Sequence, residues 1–104
     1  MKRGEVWWVD MPAPAGRRPA VLLSRDAAYR VRAAITVAPV TRTMRNIPVE
    51  VMLDRNDGMP VRCVINLDDI TTLPKAFIKE RITALSPEKI KRVDDAIRFA
   101  LELD

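Results

Sequence analysis

Helical periodicity sustained over several turns occurs once in this sequence, at its end, and that restricts the fold more than any other feature. Ser86 has the hydroxyl of a natural N-cap, Pro87 suits the first helical position, and Glu88 sits favourably at the positive end of the dipole. Ile90, Val93, Ala96, Ile97, Ala100 and Leu101 then fall at helical spacing and make one apolar stripe. Such a stripe must be covered, either by the rest of the chain or by a second copy of it.

Everything upstream breaks into short β-rich runs separated by turn residues. "EVWWVD" (5–10) reads as a strand with Val6 and Trp8 on one face and Trp7 and Val9 on the other, both faces covered, so at least one tryptophan belongs to the core. "MPAPAG" (11–16) reads as a loop, and "PAVLLS" (19–24) as the next strand with Pro19 tolerated at its start. "RDAAYRVR" has room for one helical turn. The nearly all-apolar "AAITVAPV" (33–40) suits a central strand, and "IPVEVML" (47–53) alternates as a strand with one wet face. "DRNDGMP" (54–60) is turn chemistry; "VRCVINL", "ITTL" and "ERITAL" supply further strand signal. Five to seven strands and one helix predict a mainly β fold with a C-terminal α-helix, an α+β arrangement on a small SH3-like β-barrel. At 104 residues the chain has the size of one domain, expected to span 1–104.

The composition removes whole classes of chemistry. Histidine is absent, which excludes Ser/His/Asp triads, Cys/His dyads and histidine general bases. The single cysteine, Cys63, has no intramolecular partner and reads as a buried small hydrophobe, so neither a disulfide framework nor a cysteine metal cage is expected. No metal or other cofactor is expected. No apolar run has the length of a membrane span and "MKRGEVWWVD" lacks the pattern of a signal peptide, so the expectation is a cytoplasmic protein away from membranes.

Charge is unevenly placed. Residues 1–45 hold nine basic and three acidic groups, a net of +6, while the remainder holds nine basic and eleven acidic, a net of −2. A first half of that sign, rich in arginine, suits a polyanion. Arg17 and Arg18 enter "PAVLLS" and Thr41 leaves "AAITVAPV"; if those strands pair antiparallel, guanidinium and hydroxyl meet at one rim. Arginine supplies charge-assisted donors and threonine a neutral one, which is how a phosphate is clamped. Read from the residues alone, this is a phosphate- or RNA-binding rim, with cleavage left open.

"KRGEVWWVD", "GRRPAVLLSRD", "VAPVT", "CVINLDDITTLP" and "RITALSPEKIKRVDDAIRFAL" follow one another as the blocks of a known family. In that order they resemble the MazF/PemK-like toxins of type II toxin–antitoxin systems, over about Lys2 to Leu101. The resemblance implies a CcdB/MazF-like SH3 barrel acting as a homodimer. It implies a metal-independent, ribosome-independent, sequence-specific endoribonuclease on single-stranded RNA, neutralised by a cognate antitoxin. It carries the active pair onto Arg18 and Thr41, with attack by the substrate's own 2′-hydroxyl.

Around that pair, Arg17, Arg25, Arg42 and Arg45 are the expected RNA-binding arginines, Arg17 holding flanking phosphates. Tyr29, in the basic "YRVR" segment, is a candidate for base stacking. Two departures from the family pattern bear on substrate choice. "MPAPAG" is short and lacks the polar residues usual in the first loop, and Asp68 and Asp69 replace a glutamate and glutamine pair. Two carboxylates near a polyanion suit acceptance of hydrogen bonds from base amino or imino groups, or else form a solvated acidic turn. The competing functions are a catalytically silent SH3-like RNA-binding module and a toxin of the same fold directed at a protein such as a topoisomerase.

Overall fold

The computed structural model describes all residues, Met1 to Asp104. Seven strands form one antiparallel sheet: β1 (Glu5–Met11), β2 (Gly16–Leu22), β3 (Ala34–Thr41), β4 (Glu50–Leu53), β5 (Cys63–Asn66), β6 (Thr71–Pro74) and β7 (Ile78–Ala84). A one-turn helix α1 (Ala28–Val31) follows β2, and the long helix α2 (Pro87–Ala100) closes the chain. The strand order is β4-β5-β3-β2-β1-β7, with β6 also paired to β3.

β3 organises this sheet. Along one edge it pairs with β2; along the other, Ala34 to Val37 pair with β6 while Val40 and Thr41 pair with β5. Ala38 and Pro39 stand at the hand-over, where that edge has no ladder partner, so the missing N–H of Pro39 costs little there. One strand shared by two partners bends the sheet. The α+β class expected from the sequence is present, but the ring of hydrogen bonds is not closed: β4 and β7 are its ends. Side chains bridge the opening, where the Thr83 hydroxyl of β7 donates to the Asp57 carbonyl in the turn after β4 at 3.0 Å.

Two apolar cores result, one on each face. Val6, Val21, Ala38, Val40, Val51, Leu53, Ile65 and Val93 pack between the sheet and α2; Val9, Ala20, Leu22, Ile35, Val37 and Leu73 pack on the opposite face. The alternation read from "EVWWVD" therefore holds, with Val6 in the first core and Trp7 against the second. α2 starts as its residues dictate, the Ser86 hydroxyl accepting from the Lys89 N–H at 3.2 Å. Its stripe is covered by the sheet, through Ile90, Val93, Ala96, Ile97 and Ala100. Leu101, placed in that stripe by spacing, instead caps the last turn and is exposed.

Boundaries shift in two places. β2 begins at Gly16 and so contains Arg17 and Arg18, because the "MPAPAG" loop tightens into a hairpin in which Met11 pairs with Gly16. β4 is shorter than "IPVEVML", since Ile47 turns back to receive the Glu50 N–H.

Two local contacts test this account. Gly58 has φ +92°, and a Cβ there would meet the Thr83 hydroxyl at 2.3 Å. Gly58→Ala should lower unfolding free energy by about 1–3 kcal/mol in urea titration, through left-handed strain and displacement of the Thr83 bridge. The second contact is at the start of β1. Burial raises the Glu5 carboxyl, but donation from the Trp7 indole and the Lys2 N–H, with the Arg81 guanidinium nearby, outweighs it and leaves its pKa lowered. A depressed carboxylate stabilises the fold above its unfolded pKa and loses that contribution as pH falls through the folded value. Glu5→Gln should therefore flatten the stability–pH curve below about pH 5.

Candidate active site

β2 and β3 run antiparallel, with Ala20 opposite Pro39; two positions further in the same register Arg18 comes level with Thr41. Residues directly opposite in an antiparallel pair lie on one face, so guanidinium and hydroxyl start from the same side of the sheet. Both line a cleft of about 550 Å³. Its lining is in part basic and hydroxylic, with Arg17, Arg18, Thr41, Arg42 and Thr43, and in part apolar, with Trp8, Val40, Met59, Pro60, Val61 and Ile82.

The two adjacent arginines differ in what they already hold. Arg17 lies over the Trp8 ring, 5.7 Å from its centroid, and 3.8 Å from Glu80. Alternation along β2 starts the two side chains from opposite faces, yet both line the same cleft. Arg18 forms no ion pair, and its Nε is buried without a hydrogen-bond partner. A buried, unpaired charged donor carries the cost of lost solvation, which an anion docking in the cleft removes. Thr41 is oriented by the backbone: the Thr43 N–H donates to its Oγ1 at 3.2 Å, leaving the hydroxyl proton free to point into the cleft.

Arg18 also borders a second hollow of about 420 Å³, shared with Met11, Ala15, Pro39, Asp68, Asp69, Ile70 and Thr71. The two aspartates are ordered by buried Asn66, whose amide donates to Asp69 Oδ2 at 3.2 Å and whose carbonyl oxygen accepts from the Asp68 N–H at 3.0 Å. Residues of the short first loop, Met11 and Ala15, make its apolar wall.

Of the residues singled out from sequence, Arg17, Arg18, Thr41 and Arg42 meet in the first cleft, and Asp68 and Asp69 stand across Arg18 from them. Arg45 is exposed on the loop after β3, outside both hollows, its backbone N–H on Glu50. Arg25 lies beyond the far end of β2, away from the cleft. Tyr29 does not serve as a stacking surface. It is buried in the second core with its hydroxyl on the Ser24 carbonyl at 2.8 Å, and burial pushes its phenol pKa well up. The basic neighbours of Tyr29 gave a surface signal, yet its ring fills the space under α1. Trp8, by contrast, is only half-buried and lines the cleft. Cys63 is buried as expected, and burial raises its thiol pKa, with Asp57 and Asp54 adding to the effect. Thr43 escaped sequence reading because its contribution is a backbone N–H.

A family model for the PemK-like, MazF-like toxins of type II toxin–antitoxin systems matches residues 2–101. "Probable endoribonuclease MazF5" of Mycobacterium tuberculosis is 41% identical over 102 residues, covering 96% of this chain and 92% of that protein. "Probable endoribonuclease MazF2" of the same organism is 36% identical over 99 residues, covering 94% and 95%. Among solved structures, M. tuberculosis toxin MazF-mt6 superposes with TM-score 0.89 at 26% identity, covering 96% of this chain and 98% of that one. A mycobacterial endoribonuclease in complex with its cognate antitoxin superposes with TM-score 0.89 at 27% identity, covering 100% and 97%.

The unpartnered Nε yields a stability test that needs no substrate. Arg18→Met keeps the apolar stem and removes the unsatisfied donor, and should raise unfolding free energy by about 1 kcal/mol in chemical denaturation. An unchanged or lowered stability would mean that the guanidinium is already satisfied by solvent.

Proposed function

This chain belongs to the PemK-like, MazF-like toxins of type II toxin–antitoxin systems and is an endoribonuclease, and we propose that it cuts single-stranded RNA in the Arg18–Thr41 cleft without a metal ion. The observation that carries this reading is the uncommitted Arg18 guanidinium level with an oriented Thr41 hydroxyl. In the proposed reaction the 2′-oxygen forms a bond to the adjacent phosphorus as the bond to the 5′-oxygen breaks. The 2′-hydroxyl gives its proton to solvent and the departing 5′-oxygen takes one up, leaving a 2′,3′-cyclic phosphate and a 5′-hydroxyl end.

Negative charge accumulates on the equatorial oxygens of the phosphorane, and catalysis here is its stabilisation. Arg18 supplies a full positive charge; a guanidinium does not give up its proton in proteins, so it acts as donor rather than base. Thr41 adds a neutral donor. Trp8, in the cleft lining, offers a stacking surface to a flanking base, and Arg17 and Arg42 hold neighbouring phosphates. Cleavage is sequence-specific in this reading, with Asp68 and Asp69 accepting hydrogen bonds from base amino or imino groups in the hollow beside Arg18.

The protein works as a cytoplasmic homodimer held in check by a cognate antitoxin. Support for the dimer comes from Phe99, Leu101 and Leu103, which the fold leaves 61%, 56% and 55% exposed at one end of α2. Support for the antitoxin comes from the mycobacterial relative solved with its own.

The test is incubation with a long single-stranded RNA in excess EDTA and mapping of the new ends. Wild type should cut at one short motif and leave cyclic phosphate. Arg18→Ala and Thr41→Ala should each lower the rate at least about 100-fold, whereas Thr41→Ser, which restores the hydroxyl, should stay within about tenfold. No cutting by folded wild type, or cutting that survives both alanines, would overturn the assignment.

A further inference from the structure

Several basic side chains are matched by carboxylates. Arg17, Lys79 and Arg81 pair with Glu80, Asp10 and Glu5 on the β1–β7 side, and Arg3, Lys89, Lys91 and Arg98 pair on or against α2. Arg55 and Arg62 are not matched. They are exposed, form no ion pair, and together line a small hollow of about 330 Å³ whose other lining residues are Asp54 and Asn56. Asp54, held as the cap of the 3-10 turn Arg55–Asp57 by accepting from the Asn56 N–H at 2.8 Å, offsets one of the two positive charges and leaves the lining net positive.

The hollow is continuous with the active cleft along the chain: Pro60 and Val61 line the cleft, and Arg62, the next residue, lines the hollow. The turn that carries Arg55 is also held rigidly. A reciprocal capping box closes it, Asp54 N–H donating to Asp57 Oδ2 at 2.9 Å. Gly58 then brings it against β7, where the Thr83 hydroxyl holds the Asp57 carbonyl, and Lys89 of α2 sits 3.5 Å from the Asp57 carboxylate. A turn anchored on three sides loses little entropy when its arginine engages a ligand.

We propose that Arg55 and Arg62 form a second phosphate site, a platform that holds a backbone phosphate of the RNA flanking the scissile one. The inference rests on the endoribonuclease reading and extends it beyond the cleft. Two guanidinia converging on one hollow match the forked geometry of a phosphodiester. Neither lines the cleft that holds Arg18 and Thr41, so their contribution is one of substrate binding and of minimum substrate length, with no part in bond breaking. Base identity is not read there, because phosphate contacts carry no sequence information directly.

The experiment uses the cut motif mapped above in two oligonucleotides, a minimal one holding only the motif and one extended on both sides. The variant is Arg55→Gln with Arg62→Gln; both side chains are exposed and unpaired, so a thermal melt should match wild type. On the minimal substrate kcat/KM should stay within about twofold of wild type. On the extended substrate it should fall about tenfold through KM with kcat unchanged, and the slope of log(kcat/KM) against log salt should shrink by about one. Replacing the extended substrate's phosphates one at a time by neutral methylphosphonates should locate one position whose loss penalises wild type and leaves the double variant unaffected. Arg55→Lys with Arg62→Lys should recover most of the extended-substrate advantage.

Equal losses on both substrates, or no loss on the extended one, would overturn the proposal. So would a variant that cleaves both RNAs like wild type but is no longer inhibited by a decaglutamate peptide; the platform would then serve an acidic protein segment. A wild type that cuts neither oligonucleotide overturns the nuclease reading itself, and the inference with it.

Discussion

The architecture depends on one strand having two partners along a single edge. β3 gives its first half to β6 and its last two residues to β5, while its other edge stays with β2. Because side chains on a strand alternate, both faces of this central strand must be covered, and the bent sheet covers them separately: α2 and β4–β5 on one side, α1 and β6 on the other. The hand-over at Ala38–Pro39 places Thr41 at the fork between β2 and β5. A cleft opens there because pairing with β2 stops at Pro39 while pairing with β5 continues to Thr41. The site is thus a consequence of how the sheet divides.

Electrostatics then separates structural from functional charge. Arg3 illustrates the first kind: its backbone and side chain hold Asp26, the Leu23 carbonyl and Asp94, tying the amino terminus to α2. Such partly exposed pairs each add little to stability, but they use up the charge of the groups involved. Arg18, Arg42, Arg55 and Arg62 are among the arginines left with no carboxylate, and these four border the cleft or the hollow beside it. An unpaired guanidinium is costly only where it is desolvated, which is the case for Arg18 Nε. The fold tolerates that cost at the one position where the proposed reaction needs a positive charge ready before the substrate arrives.

Legibility from sequence followed the range of the interactions. The helix, its cap and its apolar stripe were readable because they are set within a few residues of each other, and only Leu101, past the last turn, departed. Strand runs were readable from their alternation, with errors at ends such as Gly16 and Glu50, where pairing with a distant strand decides the boundary. The Arg18–Thr41 pairing was reachable because it needed only one antiparallel hypothesis for neighbouring strands. Tyr29 was misplaced since its polar neighbours described α1's outer surface, and nothing local reported the cavity that its ring fills. The platform at Arg55 and Arg62 left only a turn signature, because its two arginines are brought together by the closure of the β4–β5 hairpin.

By itself the amino-acid sequence determined which segments are strand and helix, which faces are apolar, that no histidine chemistry is available, and that positive charge gathers in the first half. These are properties of composition and of contacts between near neighbours. Tertiary structure alone decided that β3 divides between β5 and β6, that Arg18 rather than Arg17 stands level with Thr41 without a carboxylate, and that the sheet stays open between β4 and β7. The physical reason is that strand pairing is a long-range choice, made by burying two apolar faces at once, and the sites fall where that choice leaves backbone and charge unpaired.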